Sequence, residues 1–121
     1  SPMTVSMSTS FYVEQLRDVT VVCFTCRTIT EVNFDVISEE LLEFADLVTL
    51  DRPVQVIAEL LAIREVDAIG LEVLRAFHQT IHDAGGRLVM CRVQPSVNAA
   101  IRNADLPCEI FGSRSEAIWS F

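Results

Sequence analysis

VQVIAELLAIREVDAIGLEVLRAFHQTIHDAGGRLVMC, residues Val54 to Cys91, reads as strand, loop, helix, turn and strand. Val54, Val56, Ile57 and Leu60 open the stretch, and Leu88, Val89, Met90 and Cys91 close it. Such near-continuous apolar runs suit strands covered on both faces. Between them Leu71, Leu74, Phe77 and Ile81 recur at spacings of three and four. They share one face of a helix over Gly70 to Ala84, which Val73 and Ala84 widen. Gly85 and Gly86 end that helix, since glycine takes the left-handed conformation after a C-terminus without steric cost. Asp67 precedes the helix, where a carboxylate accepts from free backbone N–H groups and meets the positive end of the dipole. The whole makes one right-handed βαβ crossover of about 35 residues.

Upstream, Phe11 to Leu16 and Val19 to Cys26 read as two strands around the tight turn Arg17-Asp18, an antiparallel hairpin. A helix capped by Thr30 or Asn33 follows and ends near Leu47 or Val48, with Phe34, Ile37, Leu41, Phe44 and Val48 as its buried stripe. Glu31, Asp35, Glu39, Glu40, Glu43 and Asp46 fall between those positions, and no basic residue lies from Thr28 to Asp51. The acidic row suits either a docking face or a solvated helix surface. Thr49 to Pro53 is a loop. Downstream, Pro95 precedes a short helix over Ser96 to Ala104, and Cys108 to Phe111 reads as the last strand. Ser113 and Glu116 then form a capping box for a closing helix.

VDAIGLEVL, then HDAGGRLVMCRVQPSVNAAI, then SRSEAI together resemble the STAS domain of anti-sigma factor antagonists. That family's usual form has an Asp-Ser-Ser-Gly-Leu turn, a helix, a Gly-Gly turn into a strand, a short helix after Pro-x-Val, and a closing Ser-x-x-Glu-Ala helix. Order and spacing fit from about Val54 to the last residue, and more loosely back to Phe11. The resemblance implies an α/β fold: a single STAS-like domain with a mixed sheet of about five strands packed against about four helices. The expected division is a flexible tail over 1–10 and the domain over 11–121, with Ser1-Pro2 read as a cloning remnant.

The resemblance also implies a non-enzymatic regulatory protein whose partner is an anti-sigma factor or switch-type serine kinase. In the family, that kinase moves phosphate from ATP to the second serine of the turn, and the added charge breaks the docked complex. Here Ala68 and Ile69 stand at the two serine positions, so the usual phosphorylation switch has no hydroxyl to act on. Carried over by position, Asp67, Ala68, Ile69, Gly70 and Leu71 form the docking turn, with Thr28 and Thr30 on the neighbouring turn. Ile69 is either an exposed apolar contact or an inward-turned residue. The family often has Gly at the position of Cys26 and Asp near Ile29, so the turn before the first helix departs from the common form. An accessory subunit of a lipid-transporting ABC system is the alternative, because such members also tolerate a missing turn serine.

Charge narrows the partners further. The net charge is −8, and all nine basic residues are arginine. No basic stripe is present for nucleic acid, and an anionic membrane surface would repel the chain. No apolar run approaches the roughly 20 residues that span a bilayer. The N-terminus lacks the basic and apolar regions of a secretory signal, so the expected location is cytoplasmic. The oligomeric state is left open, a homodimer included.

No catalytic residue, cofactor or metal is expected. His78 and His82 stand four apart but lack a third ligand at useful spacing. Cys23 and Cys26 would point to opposite faces of a strand and could not chelate together. Cys91 reads as a core residue, and Cys108, near a loop, is the thiol best placed for any redox role.

Overall fold

The computed structural model describes residues 3–7, 9–50 and 53–121. Its main sheet is built from strands β1 (Met3–Met7), β2 (Phe11–Leu16), β3 (Val19–Phe24), β5 (Gln55–Glu59), β7 (Arg87–Cys91) and β8 (Ile110–Phe111), in spatial order β1-β2-β3-β5-β7-β8. A separate two-stranded ladder joins β4 (Thr28–Ile29) and β6 (Glu65–Val66). The helices are α1 (Phe34–Val48), α2 (Ala68–Asp83), α3 (Pro95–Asn103) and α4 (Arg114–Trp119). The sheet is mixed: β1, β2 and β3 run antiparallel, and β3, β5, β7 and β8 are parallel.

The apolar runs of the central strands have the expected cause. Val22, Val56, Ala58, Leu88 and Met90 face a core closed by Ile37, Leu41 and Phe44 of α1, Leu74, Phe77 and Ile81 of α2, and Val97 and Ile101 of α3. Their neighbours Val21, Cys23, Ile57, Val89 and Cys91 face the opposite side, where α4 covers them with Ala117. Alternation along each strand sends successive side chains to different helices, so both faces are largely apolar.

Several boundaries differ from expectation. Residues 3–7 form the edge strand β1, paired antiparallel with β2 from Met3–Gln15 to Met7–Tyr12, whereas the sequence reading leaves 1–10 as a tail. Met3, Val5 and Met7 alternate with Thr4 and Ser6 along this strand, a period-two pattern that the sequence reading takes as part of a polar tail. Ser1, Pro2, Ser8, Asp51 and Arg52 lie outside the described residues. Strand β3 stops at Phe24, two residues before Cys26. Phe34 keeps the helical spacing of the α1 stripe yet, as the first residue of the helix, is 39% exposed, while Ile37 one turn on is buried.

Candidate functional site

The Asp67 turn is fixed by one short ladder and one carboxylate. Parallel pairing of β4 with β6 sets Thr28 beside Glu65 and Ile29 beside Val66. The Asp67 N–H then donates to the Ile29 carbonyl at 3.4 Å. Beyond it the chain enters α2, whose N-cap is Asp67: its Oδ1 accepts from the Gly70 N–H at 2.8 Å. Its Oδ2 accepts from the Glu31 N–H at 2.9 Å, in the other turn. One side chain thus caps a helix and ties two loops together. The Gly70 and then the Glu31 amide hold the carboxyl below the ordinary aspartate range.

The five positions of the turn have different fates. Gly70 is buried against the Ile29 carbonyl, and Leu71 is half-buried. Ala68 and Ile69 face outward, Ile69 with 39% of its surface exposed. Of its two sequence readings, the outward one is what the geometry has. On the neighbouring turn the two threonines differ. Thr30 is buried, and its hydroxyl accepts from the Val32 N–H at 3.3 Å. Thr28 is half-buried, and its carbonyl accepts from Asn33 Nδ2 at 2.8 Å. Asn33 sits at the N-cap of α1 without capping it, because its Oδ1 accepts from the Thr30 N–H at 3.0 Å.

What that turn does expose is Val32, at 85%, with Phe34 just after it. Sequence reasoning passes over Val32, which interrupts no pattern and belongs to no motif. Its signal is negative: a β-branched apolar residue in a loop with no periodic partner. Val32 follows Glu31 and Ile69 follows Asp67 by two, so the Glu31–Asp67 bond holds both apolar side chains on the same end of the molecule.

A second polar cluster lies at the carboxyl ends of the parallel strands. Glu59 closes β5 and is buried. It meets Arg92 Nη1 at 3.1 Å, Cys23 Sγ at 3.4 Å and Nη2 of Arg114, which also reaches Glu14 at 2.9 Å. Burial pushes the Glu59 carboxyl up. The Arg114 hydrogen bond and charge, with Cys23 and Arg92, outweigh it and hold the carboxyl below the ordinary glutamate range. Arg114 begins α4, so the cluster latches that helix to the sheet, and the charges answer one another two against two. Glu59 is a charge ending an apolar strand. Such a residue demands a buried partner, and that was the available signal for Arg114.

The nucleophile and metal candidates have their own geometry. Burial pushes the Cys23 and Cys108 thiols up to about 12 and Cys91 to about 11. It raises Cys26 as well. All four cysteines are free. Cys23 and Cys91 each pair with Glu59 in register, so a whole strand separates them, about 9.6 Å from two strand spacings. That exceeds disulfide reach. The His78 and His82 rings stack at 6.2 Å. Among the described residues no group of three metal-binding side chains gathers, and no helix is long and apolar enough to cross a membrane.

No curated protein matches the sequence. The anti-sigma factor antagonist (STAS) domain protein from Planctomyces limnophilus superposes with a TM-score of 0.79 at 17% identity, over 91% of this chain and 96% of that one. An anti-sigma factor antagonist from Mycobacterium paratuberculosis gives 0.75 at 18% identity, over 92% of each chain. The murine Slc26a9 anion transporter gives 0.74 at 16% identity; 98% of this chain is covered but only 21% of the transporter, so this chain spans about a fifth of that length. These likenesses concern the fold. The family profile of the STAS domain matches residues 12–117, nearly the whole folded unit, and the chain therefore belongs to the STAS domain family.

Proposed function

We propose that the chain is a non-enzymatic regulatory binding protein, an anti-sigma factor antagonist that docks on an anti-sigma factor or switch-type serine kinase through residues 67–71. The observation that carries this reading is Ile69: an apolar side chain exposed on the first turn of α2, on a loop pair locked by Asp67. A pre-organised apolar contact loses little entropy on docking. Ala68 and Ile69 offer no hydroxyl, so the standard serine switch is absent at this turn and docking is not closed by phosphate there. Such partners place the chain in the cytoplasm.

The test is incubation with ATP and a cognate kinase, followed by mass spectrometry and a binding measurement. The expected result is a complex without phosphate on the 67–71 turn, weakened by Ile69→Asp at unchanged thermal stability. Undiminished binding by Ile69→Asp moves the interface elsewhere. Phosphate on Thr28, Thr30 or Ser96 means the switch has moved and has not been lost.

The likeness to the transporter, which extends over 98% of this chain, favours a second reading as a STAS subunit of a membrane transporter. Co-purification with a permease and an ATPase supports that assignment, lipid ABC systems being the expected class. Recovery of a sigma-regulatory kinase in their place removes it.

A further inference from the structure

Helices α1 and α2 form a second surface, away from the Asp67 turn. A shallow apolar groove runs between them, with Leu41, Ala45 and Phe77 in its floor and Leu42, Ala76 and Thr80 at its edges. Leu42 is 54% exposed. The Thr80 hydroxyl donates to the Ala76 carbonyl at 2.8 Å and so is already satisfied. The groove holds about 70 Å³, well under the roughly 300 Å³ at which small-molecule sites begin. It suits the tips of side chains from a helix laid along it.

The borders of this groove carry one dominant sign. Asp35, Glu39 and Asp46 share the exposed row of α1 that contains Leu42, and α1 has no basic residue. On α2, Glu72 and Asp83 are exposed. Arg75, the arginine of that helix, lies 3.4 Å from Glu72 and turns its Nη2 to the Ala104 carbonyl at 2.8 Å, behind α2. An acidic frame around an apolar slot selects its occupant by charge as well as shape.

We propose that the α1–α2 groove is a docking surface for a basic amphipathic helix of a partner protein. Apolar side chains at i, i+3 or i+4 and i+7 of that helix seat against Leu42 and Ala76, and its Lys or Arg residues meet Asp35, Glu39 and Asp46. A second copy of this chain is a poor occupant, because it brings the same carboxylates face to face. The proposal uses residues distinct from the 67–71 turn and stands or falls separately from that turn's role.

The experiment is a nuclear magnetic resonance titration of the isotope-labelled chain with a Leu/Lys amphipathic helical peptide, and with a Leu/Glu peptide of the same pattern. Saturable shifts at Leu42, Ala45, Ala76 and Thr80 are expected with the first peptide alone. Leu42→Ser weakens binding by about tenfold. Glu39→Lys with Asp46→Lys, exposed changes that leave the fold intact, weakens it at least as much and flattens its salt dependence. Ile69→Asp leaves the peptide affinity unchanged. Equal binding of both peptides overturns the proposal, as do shifts centred on residues 67–71 or unsaturable shifts over the whole acidic surface. Groove shifts that grow with the chain's own concentration, without peptide, overturn it in favour of self-association.

Discussion

A β-carbon on Gly70 would overlap the carbonyl oxygen of Ile29, because the first turn of α2 rests directly on the end of β4. A glycine inside a helix ordinarily costs about 1 kcal/mol relative to alanine, so Gly→Ala at an ordinary helical position stabilises. Gly70→Ala is expected to do the reverse. It destabilises by about 1–3 kcal/mol, the scale of overpacking a closed contact, and pushes β4 away from β6. Urea denaturation of the two proteins checks the sign.

Asp67 couples two loops, and its removal uncouples them together. In Asp67→Ala, amide exchange at Gly70 and Glu31 rises in parallel, since both N–H groups lose the same acceptor. The link also depends on pH. The folded carboxyl titrates below the ordinary value of 3.8. Its contribution is therefore complete above that value and lost as the pH falls through the lower, folded one. Hydrogen exchange at acid pH should find the two amides loosening together, and independent loosening would contradict the shared carboxylate.

Arg114→Gln leaves Glu59 buried with Arg92 as its remaining cation. The expected loss is about 2 kcal/mol, the scale of a buried charged group short of a partner. In the parent chain Glu59 titrates below the usual 4.5, so it stabilises fully above that pH and less as acid reaches the folded value. In the variant, uncompensated burial drives the carboxyl up, and acid unfolding begins at higher pH. Thermal melts from pH 7 to pH 4 measure the displacement.

The thiols are expected to be sluggish. Folded values of about 11 to about 12 for Cys23, Cys91 and Cys108 leave little thiolate at pH 8. Alkylation of these three in the native chain should run at least about a hundredfold slower than in urea. Fast modification of Cys23 or Cys91 without unfolding would contradict their burial. The same measurement compares Cys108, which lies in the loop between α3 and β8.

Much of the architecture was legible because it depends on periodicity. The alternation of core faces along Val54 to Leu60 and Leu88 to Cys91, the Phe77–Ile81 stripe and the Asp67 cap are local patterns, and each appears where its spacing puts it. β1 carries a local pattern too, Met3, Val5 and Met7 alternating with Thr4 and Ser6, but five such residues beside Ser8, Thr9 and Ser10 fit a polar tail as well as a strand. Phe34 misleads for a related reason. Helical spacing reports a face, and only the packed fold tells how far along the helix that face is covered.

The candidate site divides along the same line. Asp67 and Gly70 were readable from the turn, whereas the Glu31 amide that Asp67 also serves lies 36 residues away in sequence. The role of Arg114 was hidden by the capping box around it, and its partners Glu14 and Glu59 come from two different strands. Residue spacing carries no information about such pairs.

By itself the sequence determined the central strands and the four helices, where α2 would begin and stop, and that the 68–69 positions hold no hydroxyl. These follow from interactions within a few residues, whose geometry the chain imposes on itself. Tertiary structure alone decided that Ile69 faces solvent, that Val32 stands on the adjoining loop and that Thr30 is turned inward. Exposure is a property of what other segments cover, and that is settled only when distant parts of the chain have packed.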